Sequence, residues 1–351
     1  MIEYVLERFL YRMSRSFLEN SYFILKGGLL LTQFGARRAT RDIDILGRFT
    51  PHDQDEITSR IAGIARFVAG DGVVFDPSAL KTTPIREDSR YGGLRLTMPA
   101  AISRAQLKVQ LDVSIGDPVI PGPRVIAYPQ KLSADFFPVL AYPLPSVVAE
   151  KLCTAIALGD LSTRDRDYAD LYRILSGNEL SGAELAEALA ATGAYRGVPI
   201  RQLRSVITDL PQRRQASYLA WRRRQGREMA WYPELFADVV ALVQAFADPL
   251  IAGETVRQYW RPSSGWVLPR RPFRVVASPP YGITAGLLSL LLAPGSRLVA
   301  ADLVLQRAAV RKYAERRVRG YRITAGAALP RRAFQPAPRV DSAVLVIRRH
   351  R

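Results

Sequence analysis

Two short runs, Lys26-Gly27-Gly28 and Asp42-Ile43-Asp44, constrain this chain more than any other feature. Side chains two apart on a strand share a face, about 6.5–7 Å from one another. If Asp42–Leu46 is a strand, Asp42 and Asp44 project side by side while Ile43 and Ile45 turn into a core. A third acid, Asp112, lies in the apolar run Leu111-Asp112-Val113, as on a neighbouring strand. Converging carboxylates repel one another and titrate upward unless cations compensate them. Such oxygen-rich clusters suit Mg²⁺, which keeps water and is completed by substrate phosphates. The Gly27-Gly28 turn offers backbone N–H groups that can approach a triphosphate closely. Singly, each piece is weak: an isolated Asp-x-Asp is more often a turn or a solvated strand end, and Gly-Gly is usually only a turn. Their order is stronger: glycine turn, helical stretch Leu29–Arg38, acidic strand, later acid. It points to two-metal nucleotidyl transfer.

The rest of the composition narrows the class. With 351 residues the chain can hold two or three domains and a sizeable core. No apolar run approaches the roughly 20 residues of a membrane span; the most apolar, Gly282–Ala293, is too short. Glu3, Glu7 and Arg8 interrupt the apolar start, which is wrong for a signal peptide. A single cysteine, Cys153, excludes an internal disulfide framework and fits a reducing cytoplasm, with no membrane partner. His52 and His350 are the only histidines, so a His/Cys zinc site is not expected. The net charge of +18 is unevenly placed. Residues 267–351 hold 17 Lys/Arg against three acids, a balance of +14, while the other 266 hold 33 against 29, only +4. An arginine-rich genome explains many arginines but not the missing acids. A polyanion is the expected partner, RNA above all.

Val5, Leu6, Phe9, Leu10, Met13 and Phe17 recur at helical spacing and predict an amphipathic helix over 2–18. Tyr22–Leu25 reads as a strand entering the glycine turn, and Ile57, Ile61, Ile64, Ala65 and Val68 mark a second helix. Gly72–Phe75, Gly93–Met98, Gln106–Ser114 and Arg124–Ala127 read as strands. Beyond residue 143 the pattern is helical. Pro145–Leu158 comes first, then a helix opened by the capping signature Ser162-x-x-Asp165 and running to Leu175, then 181–191, 199–209, 213–226 and 233–247. Trp260–Pro272, with Pro262, Gly265 and Pro269, reads as a linker, and Phe273–Ala277, Leu298–Leu303 and Ser342–Ile347 as strands around a helix. The expected organisation is an α/β catalytic domain with a mixed sheet over 1–142, a helical domain over 143–259, a linker over 260–272 and a final α/β segment over 273–351.

Leu6-Glu7-Arg8-Phe9-Leu10-Tyr11-Arg12, Phe23-Ile24-Leu25-Lys26-Gly27-Gly28 and Arg41-Asp42-Ile43-Asp44 together resemble the AbiEii/MenT-type nucleotidyltransferase toxins. The resemblance continues through Pro84-Ile85-Arg86-Glu87, Val109-Gln110-Leu111-Asp112-Val113, Ala149-Glu150-Lys151-Leu152 and Arg166-Asp167-Tyr168-Ala169-Asp170-Leu171, and covers roughly residues 1–266. It implies that Lys26, Gly27 and Gly28 hold the nucleotide and that Asp42, Asp44 and Asp112 bind Mg²⁺. It further implies that Lys151 is needed for catalysis, as a point charge on the triphosphate. Asp167 matches the acid of the usual Lys-Asp-Tyr-Tyr-Asp-Leu motif, in which Arg166 here replaces the lysine and Ala169 the second tyrosine. Without the resemblance Lys151 reads as a solvated helix residue paired with Glu150; with it, Lys151→Ala is expected to lose turnover and keep the fold. The implied reaction is Mg²⁺-dependent transfer of a nucleoside monophosphate from an NTP to RNA, at the 3′ end of tRNA. The implied setting is a phage-defence toxin with a separately encoded antitoxin.

A second resemblance begins at Phe273-Arg274-Val275-Val276-Ala277-Ser278-Pro279-Pro280-Tyr281. With Ala301-Asp302-Leu303-Val304-Leu305-Gln306-Arg307, Leu329-Pro330-Arg331-Arg332-Ala333-Phe334 and Pro338-Arg339-Val340-Asp341-Ser342, it is similar to the Erm-type rRNA adenine N6-methyltransferases, over roughly 271–351. In that family the tyrosine stacks on a flipped-out adenine and the preceding asparagine binds its amino group; here Ser278 stands in the asparagine's place. The family's Gly-rich loop for S-adenosylmethionine has no counterpart upstream of residue 271, apart from the vaguely similar Ala69-Gly70-Asp71-Gly72 in another domain. The segment is therefore expected to be an inactive partial methyltransferase that does not bind S-adenosylmethionine, with Ser278, Pro279, Pro280 and Tyr281 a vestigial adenine site. A basic RNA-docking appendage, a catalytically dead RNA-binding fusion and an rRNA adenine methyltransferase are the alternatives.

Overall fold

The computed structural model describes residues 1–16, 22–36, 40–48, 54–85, 93–268, 272–335, 338 and 340–350. Phe17, Arg38, His52, Arg86, Glu87, Pro269 and Arg339 of the sequence reading lie outside them. Residues 1–256 with 260–266 form one compact unit, and residues 257–259 with 267–351 another.

The first unit opens with α1 (Ile2–Arg15), whose Val5, Leu6, Phe9, Leu10 and Met13 are fully buried at helical spacing. Arg12 of the same helix is also buried and meets Asp71 through two bonds of 2.7 and 2.9 Å, so its charge is paired rather than stranded. There follow β1 (Phe23–Lys26), α2 (Gly27–Leu31), β2 (Asp42–Gly47), α3 (Gln54–Arg66), β3 (Val73–Phe75), β4 (Lys81–Ile85), β5 (Gly93–Ile102), β6 (Ala105–Ile115), β7 (Arg124–Pro129) and β8 (Phe136–Ala141). These eight strands make one mixed sheet in the order β3-β5-β6-β2-β1-β8-β7, with β4 on β5. β2 runs parallel to β6 and β1 to β8, while the other neighbours are antiparallel.

Register decides what each face carries. One row across β1, β2, β6 and β5 is Leu25, Ile45, Val113 and Leu94, all buried. The adjacent row is Lys26, Asp44, Asp112 and Arg95. Because successive side chains alternate faces, the apolar row anchors the sheet in the core and the charged row faces the other way. Two strands of this sheet escaped the sequence reading for physical reasons. β8 contains Pro138, which counts against a strand interior, and β4 is a mostly exposed edge strand, so it shows no alternation.

Helices α4 (Leu144–Leu158), α5 (Asp165–Gly177), α6 (Gly182–Arg196), α7 (Leu210–Arg223) and α8 (Phe236–Ile251) complete the unit, with the two-residue strand β9 (Leu180–Ser181) between α5 and α6. The helix expected over 199–209 is instead a single 3₁₀ turn, Leu203–Ser205. The Asp248 carboxylate accepts the backbone N–H of Leu203 at 2.5 Å, so that donor is satisfied without a helix. Nor does Asp165 complete a capping box; its carboxylate accepts from Arg214 at 2.8 and 2.9 Å and from Ser217. Within the stretch read as a linker, β10 (Tyr259–Arg261) and β11 (Gly265–Val267) carry two tryptophans. Trp260 and Trp266 pack on Phe246 at ring separations of 5.1 Å, and their N–H groups bond the carbonyls of Leu175 and Phe246.

In the second unit, β12 (Phe273–Ala277), α9 (Thr284–Leu291), β13 (Leu298–Gln306), α10 (Arg307–Ala314), β14 (Tyr321–Leu329) and β15 (Ser342–Arg349) form a four-stranded sheet in the order β12-β13-β15-β14 with its helices. Leu288, Leu291 and Val310 of the helices share its core with Leu303, Leu305 and Leu345. The Tyr281 hydroxyl lies 2.8 Å from that of Ser342. Among the described residues no helix is long and apolar enough to cross a membrane.

Candidate active site

Asp42, Asp44 and Asp112 each offer a carboxylate oxygen, and the three oxygens lie within 4.8 Å of one another. Strand alternation brings in the first two, and the parallel pairing of β2 with β6 sets Asp112 directly opposite Asp44. Asp44 shows the cost of the arrangement. Burial first, and then the neighbouring charge of Asp42, push its carboxyl up to about 6. Such a group favours a nearby cation or a proton over standing charged and alone.

The two glycines are dictated by the acids. Gly27 has φ +64°, a left-handed conformation, and a Cβ there would overlap the Asp44 carboxylate. A Cβ on Gly28 would come within 2.6 Å of the Thr40 hydroxyl, which itself donates to Asp42 at 2.7 Å. The turn thus seats directly on the acid pair, which explains why the two motifs occur together.

Lys26, expected at the nucleotide, spends its ammonium differently. It donates to Ser114 at 3.2 Å, Asp117 at 3.1 Å and Glu150 at 2.7 Å, which accounts for all three of its N–H donors. Burial alone would depress its pKa, but Glu150 and Asp117 outweigh burial and hold it above the ordinary lysine value. Arg196 donates to the same two acids, at 3.1 Å to Asp117 and 3.0 Å to Glu150. Lys26, Asp117, Arg196 and Glu150 therefore close a ring of alternating charges. It joins the end of β1, the loop after β6, α4 and α6.

Lys151, one residue beyond Glu150, is neither solvated nor paired with it. Its side chain is 13% exposed, and its ammonium donates to Asp167 at 2.6 Å and Asp170 at 2.9 Å. Burial opposes its charge, but Asp170 and Asp167 prevail and raise its pKa. Burial likewise works against the Asp167 carboxylate, and Lys151 overcomes it to hold that pKa low. Removing Lys151 would strip both acids of their shared cation, so Lys151→Ala should cost stability as well as turnover. Tyr168 and Ala169 of the same motif point into the core, where Tyr168 meets the Phe236 ring edge-on at 5.7 Å.

All five expected catalytic residues line one cleft of about 1130 Å³, together with Lys26, Gly27, Arg95, Arg164, Arg166, Arg196 and Arg224. Arg95, Asp117, Glu150, Asp170 and Arg196 were not singled out from the sequence. Glu150 and Asp170 sat inside quoted motifs, and Arg95 could have been found as the cross-strand partner of Asp112 had the β5–β6 register been known.

Residues 8–249 match the family model of the nucleotidyl transferase AbiEii toxin of a type IV toxin–antitoxin system. The chain belongs to this family. The family is one of nucleotidyl transferase toxins of type IV toxin–antitoxin systems, a class that implies a nucleotide substrate and an antitoxin counterpart. Among solved structures the AbiEii chain is similar to JHP933 from Helicobacter pylori, at 13% identity and TM-score 0.40, covering 72% of this chain and 91% of that one. A putative nucleotidyltransferase from H. pylori matches at 13% identity and TM-score 0.41, with 72% and 94% covered. The 23S rRNA methyltransferase ErmE matches at 28% identity and TM-score 0.22, over 24% of this chain. The chain spans only 38% of that methyltransferase's length. No curated protein matches the chain.

Proposed function

We propose that this AbiEii-family protein transfers a nucleoside monophosphate from an NTP to RNA, at the 3′ end of tRNA, with Mg²⁺ held by Asp42, Asp44 and Asp112, and that it acts as a phage-defence toxin. The observation that carries the reading is the oxygen triad, seated on a glycine turn in a cleft that also holds Lys151 and several arginines. The donor set fits the ion: three carboxylate oxygens within 4.8 Å of each other are hard ligands that repel without a cation between them. When bound, divalent ions in such a site polarise the attacking hydroxyl and neutralise charge on the leaving pyrophosphate.

The remaining roles fall to the chain's own residues. Lys151 uses two donors on Asp167 and Asp170, which among the described residues leaves one N–H for a phosphate oxygen. Asp167 and Asp170 hold that ammonium in place and keep it charged. Lys26 acts at one remove, fixing the end of β1 so that Gly27 and Gly28 stay against the acids. Arg164, Arg166 and Arg224 give the cleft wall a positive lining suited to a polyanionic acceptor. The C-terminal unit is read as a basic appendage without methyl transfer. Heat on titrating it with S-adenosylmethionine would instead favour the methyltransferase alternative. The main test is incorporation of labelled NTPs into total tRNA with Mg²⁺, for wild type and Asp42→Ala. Equal incorporation by a folded Asp42→Ala protein would sink the assignment.

A further inference from the structure

Among the described residues, Arg95 is the basic side chain that bonds the triad directly. Its Nε donates to one Asp112 oxygen at 2.9 Å and its Nη2 to the other at 2.7 Å. This is the two-pronged grip that guanidinium makes on a carboxylate. Each Asp112 oxygen thus accepts one bond from Arg95, and the Gln110 amide donates to the same two oxygens at the longer distances of 3.3 and 3.5 Å. The two cations of the charged row differ sharply in exposure and in how they are held. Lys26 is locked in a half-buried ring, whereas the Arg95 side chain is 44% exposed, borders the cleft and, among the described residues, is held by this one ion pair.

We propose that Arg95 is an exchangeable cation of this site: it neutralises Asp112 while no divalent ion is present, and turns onto the triphosphate of the incoming NTP once an ion takes Asp112. The inference rests on reading the triad as a divalent-ion site. Arginine and the ion compete for the charge of the same carboxylate, so each weakens the other's hold on Asp112. A guanidinium released into this cleft needs a new anion, and a triphosphate offers oxygens at the spacing its planar fork fits. Ion and nucleotide then favour each other's binding through Arg95, a coupling that by linkage has the same size in both directions.

The exchange makes a prediction of opposite signs. Without nucleotide, Arg95→Met should bind Mn²⁺ about tenfold more tightly than wild type, because the competitor is gone. With Mn²⁺ present, the same variant should bind a non-hydrolysable NTP analogue about tenfold more weakly, because a phosphate partner is lost. Arg95→Lys, which keeps the charge but cannot grip both oxygens, should shift both constants the same way by less, and it serves if Arg95→Met does not fold. Mn²⁺ binding is read by electron paramagnetic resonance and analogue binding by calorimetry, with Asp44→Asn as the reference. Unchanged or weaker Mn²⁺ binding in the folded Arg95 variants overturns the exchange while leaving the triad reading intact. Equal Mn²⁺ binding by wild type and Asp44→Asn overturns the triad reading, and the exchange with it.

Discussion

Replacing Asp44 with asparagine should stabilise the metal-free protein near neutral pH while abolishing nucleotide transfer. Burial and the Asp42 charge raise the Asp44 carboxyl from 3.8 to about 6. Between those values the folded state holds a proton that the unfolded chain has released, so stability falls as pH rises through the window. Below pH 4 both states are protonated and the cost is absent. Above pH 6 it is complete, at about two units of ~1.4 kcal/mol each, or ~3 kcal/mol. Asparagine matches the shape, cannot ionise, and keeps an acceptor for the Gly28 N–H now 3.4 Å from Asp44. For a unit of this size, ~3 kcal/mol corresponds to a rise in Tm of roughly 6–12 °C. The assay is a thermal melt of both proteins in a chelator across pH 4 to 7.5, repeated with excess Mg²⁺. The difference should be near zero at pH 4, reach a plateau by pH 7, and shrink with Mg²⁺, which binds only the wild type. A variant no more stable than wild type at pH 7.5, or equally stabilised at pH 4, refutes the reasoning.

Gly27→Ala should lose Mn²⁺ binding and about 1–3 kcal/mol of stability, since the new methyl group combines left-handed backbone strain with displacement of the Asp44 carboxylate; wild-type Mn²⁺ affinity in a titration would contradict this. Lys151→Ala should lower turnover and also cost about 3–5 kcal/mol, because Asp167 and the buried Asp170 lose the ammonium they share. A urea midpoint equal to wild type would return Lys151 to a surface role. Truncation after Trp266 removes the +14 segment. It should weaken RNA binding and flatten the dependence of affinity on salt, because fewer counterions are released; an unchanged slope would deny the segment any docking part.

Much of the candidate site was legible because its logic is local. Asp42 and Asp44 share a face by strand alternation alone, and the glycine turn precedes them at short range. What stayed hidden depends on register between distant segments. Nothing in the sequence tells that Arg95 stands opposite Asp112, or that Asp117 and Arg196 meet Lys26 and Glu150. Composition also misled. The prolines and glycine near Trp260 and Trp266 read as a linker, although the two indoles outweigh them as anchors. Pro138 hid β8, and β14, whose middle is exposed and rich in small residues, carried no apolar alternation to find.

The ring of Lys26, Asp117, Glu150 and Arg196 bears on how this protein can be divided. Two members come from the sheet half and two from the helices, and each half alone would present one half-buried cation and one half-buried anion without their ring partners from the other half. The change of architecture near residue 142 is thus a seam welded by charge. Fragments cut there should be insoluble apart and should recover the fold only when produced together, which makes the boundary a place to reconstitute the toxin on demand from two harmless pieces.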